Sequence, residues 1–228
     1  MKLKLMVAAL AIAISGATAS AQMVVQTLPF MGTPDFDRTL TFDRFDPSLG
    51  ILKSVTVEFD LNSDGGLAIA DNDGEDAGSV DIEFGVGALL SSVDVPFIDD
   101  AFQPVVGNLE ATTSALGVAL AGNVGDVAND FDPSGPDGFQ LNGGNANDND
   151  SGMINSGLIG AYVGAGTFDV LVDANNFLSV SGLSGVEQAS TPAMANGSVT
   201  ITYTYNIPEP ASLSLLGLGA VALLRRRR

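Results

Sequence analysis

"ILKSVTVEFDL", residues 51–61, decides the fold class. Val55, Val57, Phe59 and Leu61 fall on one side of an extended chain, and Thr56, Glu58 and Asp60 on the other. That two-residue period belongs to a strand with one face buried and one in water. Three further stretches repeat it. "SVDIEFGV" (79–86) sets Val80, Ile82, Phe84 and Val86 against Asp81, Glu83 and Gly85. "TFDVLVDA" (167–174) sets Phe168, Val170 and Val172 against Asp169, Leu171 and Asp173, and "SVTITYTY" (198–205) sets Val199, Ile201, Tyr203 and Tyr205 against Thr200, Thr202 and Thr204.

Turn chemistry separates these runs: "DPSLG" at 46–50, "NSDGG" at 62–66, "DPSGPDG" at 132–138 and "NGGNANDNDSG" at 142–152. The last two, joined by "FQL", read as one long exposed loop excursion. "EATTSALGVALAG" (110–122) is the one arguable helix, and its Thr, Val and Gly content favours strand. The expected fold is all-β: a single antiparallel β-sandwich domain of jelly-roll or immunoglobulin-like type.

Composition removes several function classes. The 228 residues contain no Cys, His or Trp, so thiol nucleophiles, Cys or His metal ligands and Ser-His triads are excluded. The net charge is −18, and no Lys or Arg occurs between Lys53 and Arg225. Such a body repels nucleic acid and anionic lipid and gathers cations. No nucleic-acid partner is expected.

The two ends read as addresses. "MKLKLMVAALAIAISGATASA" has a Lys-bearing start, an apolar stretch from Leu5 to about Ile14, and small residues Ala19 and Ala21 placed for cleavage before Gln22. This is the pattern of a secretory signal peptide over 1–21, cut by signal peptidase. At the other end Ala211 to Leu224 would form a helix about 21 Å long, against a hydrocarbon core of about 30 Å. It spans marginally, and Arg225, Arg226, Arg227 and Arg228 would hold its end at the cytoplasmic face.

"IPEP", the apolar run with Gly217 and Gly219, and the terminal Arg cluster together resemble the PEP-CTERM protein-sorting signal over 207–228. The resemblance implies an exported protein whose tripeptide Pro208, Glu209 and Pro210 is recognised by an exosortase. The membrane segment is transient, and Arg225 to Arg228 act as the stop. The implied destination is the cell surface or an extracellular polysaccharide. "TLTFDRFDPSLGILKSVTVEF" (39–59) with "GSVTITYTY" (197–205) also resembles the choice-of-anchor E domain, which would fill residues 22–206 and implies a β domain with no activity of its own.

Three candidate sites remain. "DLNSDGGLAIAD" (60–71) has calcium-loop spacing, with Asp60, Asn62, Asp64 and Asp71 as side-chain ligands, Gly66 as a carbonyl donor and Gly65 at the bend. The absence of flanking helices, the strand that precedes it and an Asp at position 12 where a bidentate Glu is usual favour a polar hairpin instead. Asp73, Glu75 and Asp76, or Asp148 and Asp150, could complete a cation site or simply face solvent. A carboxylate pair such as Glu58 and Glu83 is the sole route to glycosidase-like catalysis; the expectation is no enzyme and no cofactor beyond a possible calcium ion. Asn196-Gly197-Ser198 fits a glycosylation acceptor and reads as a turn. The expected role is a structural or adhesive surface protein, with a calcium- or carbohydrate-binding module as the alternative.

Overall fold

The computed structural model describes residues 21–123, 131 and 133–208. Among these, the strands in chain order are β1 (Ala21–Gly32), β2 (Phe36–Asp43), β3 (Ile51–Asp64), β4 (Leu67–Asn72), β5 (Gly78–Ser91) and β6 (Leu109–Leu120). They continue with β7 (Gly138–Asn142), β8 (Ala146–Met153), β9 (Thr167–Ser181), β10 (Val186–Thr191) and β11 (Met194–Asn206). A single 3-10 turn, Ile159–Tyr162, precedes β9.

The strands form two four-stranded sheets, β1-β11-β3-β8 and β2-β9-β5-β6, and a small third sheet, β10-β4-β7. All the strand pairs are antiparallel. With the small sheet set aside, every connection except β5 to β6 crosses from one large sheet to the other. Of the two windings expected, this order is that of the jelly roll.

The inward faces expected from the alternation are the ones found. Val55, Val57, Phe59 and Leu61 of β3 are completely buried, and Ile82, Phe84 and Val86 of β5, Phe168, Val170 and Val172 of β9, and Val199, Ile201 and Tyr203 of β11 join them in one core. Phe59 meets the ring of Phe30 at 5.9 Å, and Tyr162 stands edge-on to Phe168 at 5.3 Å. Both buried phenols donate to backbone carbonyls: Tyr162 to Pro96 at 2.6 Å and Tyr203 to Asp43 at 2.9 Å. Burial therefore removes apolar surface from water without orphaning a hydroxyl.

The "DPSLG" turn forms as its residues dictate. The Asp46 carboxylate accepts from the Ser48 amide at 2.8 Å, and the Ser48 bonds hold its carboxyl below the ordinary range. Gly50 takes φ +154° hard against β11, where a Cβ would stand 2.4 Å from the Asn206 carbonyl oxygen.

Three sequence expectations are corrected. The polar segment 142–152 is no loop excursion: Ala146–Met153 is strand β8, paired with β3 from Ser63↔Ala146 to Thr56↔Met153. Its alternate acids face the opposite sheet, where backbone amides satisfy them: Gly107 donates to Asp150 at 2.7 Å and Glu110 to Asp148 at 2.9 Å. Asn196-Gly197-Ser198 is no turn either, but the middle of β11 between β1 and β3. The segment 62–66 is mostly strand, and only Gly65 and Gly66, at φ +71° and +81°, make the bend into β4.

Candidate functional site

The registers of β1, β11, β3 and β8 lay out the outer face of the first sheet row by row. One row reads Met31, Asn196, Asn62, Asn147; the next Pro29, Ser198, Asp60, Asn149; the next Thr27, Thr200, Glu58, Ser151. A fourth reads Val25, Thr202, Thr56, Met153. Each strand contributes its water-facing alternate residues, so period-2 patterning in four separate segments becomes one two-dimensional array.

At the first two rows the face deepens into an open groove of about 820 Å³. Asp60, Asn62, Asn147, Asn149, Asn196 and Ser198 line it, Met31 forms one wall, and Arg38 enters from β2. The Arg38 guanidinium donates to the Met31 carbonyl at 3.3 Å, and the Ser198 hydroxyl to Asp60 at 3.3 Å. Gly197 deepens the site from beneath. Its missing side chain leaves room for the Phe30 ring, which would lie 2.6 Å from a Cβ there. The groove offers amide donors and acceptors, the Asp60 carboxylate and the Arg38 cation, about 5 Å apart from strand to strand and about 6–7 Å apart along each strand.

The proposed calcium ligands are distributed differently from a loop. Asp60, Asn62 and Asp64 follow one another along β3, and Asp71 lies buried on β4 in the small sheet, in register with Glu187. From Asp60 to Asp64 an extended strand covers about 14 Å, too far for the set to converge on one ion bound at about 2.4 Å. The Gly66 carbonyl accepts from the Gly143 amide at 3.0 Å. Among the described residues no group of three or more acidic side chains is placed to hold a metal.

Glu58 and Glu83 are not brought together, since they project from the outer faces of opposite sheets, and Glu83 accepts from the Thr112 hydroxyl at 2.6 Å. In the "DNDGED" segment the organising residue is Asn72, which sequence reasoning passed over. Buried, it donates to the carbonyls of Asp76 at 3.0 Å and Ala121 at 2.6 Å and accepts from Gly74 at 3.0 Å. Its signal is an Asn two residues ahead of Gly, the pattern of an Asx turn.

Of the processing residues, Ala21 and Gln22 open β1, and Pro208 is exposed two residues after β11 ends. Ala19, Glu209, Pro210 and Arg225 to Arg228 lie outside the described residues, as does the apolar run 211–224. Among the described residues no helix is long and apolar enough to cross a membrane.

Comparison with known proteins bears on the C-terminus. Residues 206–228 match the PEP-CTERM protein-sorting motif. No curated protein matches the chain. Among solved structures, the chain is similar to that of the infectious bursal disease virus Gx strain at 7% identity and TM-score 0.20, over 81% of this chain and 37% of the viral one. It is likewise similar to the T13 viral particle of that virus at 11% identity and TM-score 0.17, over 80% and 36%. The VP2 subviral particle matches at 11% identity and TM-score 0.16, over 80% and 38%. The chain spans less than two fifths of these viral chains, and likenesses this distant define neither fold nor function for it.

Proposed function

We propose that this protein is exported, cut at its C-terminal sorting signal by an exosortase, and then serves at the cell surface or in extracellular polysaccharide as a structural, non-enzymatic component. The observation that carries the reading is the PEP-CTERM match beginning at Asn206, the last residue of β11. In the proposed pathway residues 1–21 are removed as a signal peptide. The run 211–224 then holds the chain briefly in the inner membrane, its arginines on the cytoplasmic side. The resemblance of the body to choice-of-anchor E domains is supported by the Asp46 to Gly50 turn and fits the same role.

Deleting residues 207–228 tests this in the native host. The full chain should be recovered outside the inner membrane as a species starting at Gln22 and ending near the tripeptide, whereas the deleted chain should lose its place in the envelope and appear in the medium. Identical location and terminal mass for both would remove the sorting reading.

A second reading follows from the groove. Its in-register amides, with Asp60 and Arg38, suit the spaced hydroxyls of a polysaccharide chain laid across the strands. Electrophoresis through gels containing host polysaccharide should retard the wild-type protein, and Asn62→Ala/Asn147→Ala should weaken that interaction by about tenfold, roughly 1.4 kcal/mol. Equal mobility of the two proteins would dismiss the groove as a sugar site.

A further inference from the structure

Strand β1 is unlike the other edges of the molecule. It is a 12-residue strand, "AQMVVQTLPFMG", without a charged residue in a chain of net charge −18, and it pairs on one side only. Its register with β11 runs unbroken from Ala21↔Asn206 to Gly32↔Ala195. Met23 and Val25 are 68% and 56% exposed, a large apolar presence for an outer strand.

The other edges of the two large sheets are defended. On β8, Asp148 and Asp150 each turn one carboxylate oxygen back onto the following amide, Asn149 at 2.9 Å and Ser151 at 2.8 Å. That occupies the donors an incoming strand would need. Strand β6 is engaged by Asp148 and bends at Gly117, φ +64°. Strand β2 carries Asp37, Arg38 and Asp43, and the Gln26 amide occupies both backbone groups of Asp43.

On β1 itself only the C-terminal third is closed. Pro29 has no N–H, and the Met31 carbonyl accepts from Arg38. Backbone groups two residues apart face the same edge of a strand, so Met23, Val25 and Thr27 present theirs on the open side. Among the described residues no side chain or loop outside the sheet bonds the backbone of these three.

We propose that β1 is where two copies of this chain join, antiparallel about a two-fold axis at Val25, into one continuous eight-stranded sheet. Charge admits a second copy at this edge: β1 carries no charged side chain, so two bodies of net charge −18 bring no like-charged side chains face to face there, as they would at β2 or β8. Geometry agrees, because a two-fold pairing of one strand with itself is self-complementary and closes. Val25 then faces the partner's Val25, and Met23 faces the partner's Thr27. The inference goes beyond the sorting reading and does not depend on it.

The chain has no cysteine, which makes a direct test available. Residues opposite one another in such a pair have Cα atoms about 5.5 Å apart, inside the span a disulfide bridges. Val25→Cys, recovered from the host and mildly oxidised, should run largely as a covalent dimer. Glu58→Cys, exposed on the same sheet away from the edge, should stay largely monomeric. Wild type should sediment as a dimer, and Val25→Lys should weaken that dimer at least about tenfold while keeping the β-sheet dichroism of the folded chain. Equal cross-linking of the two cysteine variants would overturn the proposal. So would a wild-type monomer, a dimer indifferent to Val25→Lys, or a disulfide from the Val25→Cys variant to a different protein.

Discussion

Above pH about 10 the protein is expected to lose stability steeply and unfold within two to three pH units. Tyr162 and Tyr203 are fully buried, and both phenols are pushed well above their ordinary value. Burial is the main cause for each. For Tyr162 the neighbouring Tyr203 adds to it and Arg44 opposes it; for Tyr203, Arg44 opposes it and Asp43 adds to it. Because the folded value lies above the unfolded one, the contribution of these phenols is complete below pH about 10. As pH rises further the unfolded chain ionises while the folded chain cannot, and stability falls by up to about 1.4 kcal/mol per pH unit for each group. Two groups together remove about 5 kcal/mol over two units, comparable with the whole stability of an ordinary domain. In a Tyr205→Phe background, phenolate absorbance and loss of β-sheet dichroism should therefore rise together. Phenolate appearing near pH 10 with the dichroism intact would contradict the assignment. Replacing both buried tyrosines with Phe should flatten the alkaline limb even though it lowers stability at neutral pH, by taking the tyrosine donor from the Pro96 carbonyl and leaving the Asp43 carbonyl with Gln26 alone.

The double variant Asp148→Ala/Asp150→Ala should lower stability by about 2–4 kcal/mol, a fall in melting temperature of roughly 5–15 °C for a domain of this size. Each carboxylate serves two amides, that of its own neighbour on β8 and one across the sandwich, Glu110 on β6 for Asp148 and Gly107 just before β6 for Asp150. Removing both therefore unclasps one side of the sandwich and strips an edge strand of its cover. Amide exchange at Gly107 and Glu110 should accelerate well before global unfolding. Asp148→Asn/Asp150→Asn, which keeps the acceptor oxygens but not the charge, should recover part of the loss. A melting temperature within about 2 °C of wild type for the Ala pair would show that solvent replaces these bonds without cost.

The same two residues show where the sequence can be read and where it cannot. Strands β3, β5, β9 and β11 are legible because their inward positions are apolar and their outward ones charged or hydroxylic, so one segment reveals both faces. Strand β8 reverses the sign. Its inward positions are acids made tolerable by amides 43 and 38 residues earlier in the chain, a contact absent from any local window. Strand β1 hides for a simpler reason: with Met, Val and Thr outward and Val, Gln and Leu inward, its sides differ too little in polarity to show a period. Asp60 and Asn62 stand out in the sequence for the wrong geometry, as members of a loop. They line a groove whose other residues come from β8 and β11, and only cross-strand register unites them. The Asn206 junction is legible outright, because Pro208 and Pro210 forbid the ladder to continue.

Asn206 stands at one end of β11, and the groove's first row, with Asn196, stands ten residues away at the other, roughly 34 Å along the strand. If the protein is fastened at its tail while a polymer tugs on the groove, the tension runs lengthwise down β11. That strand is hydrogen-bonded on both flanks, to β1 and to β3. Such a pull must slide the strand past two neighbours, breaking many bonds at once, instead of peeling them singly. The strand that leads into the sorting motif is thus the one best placed to serve as the molecule's tensile cable.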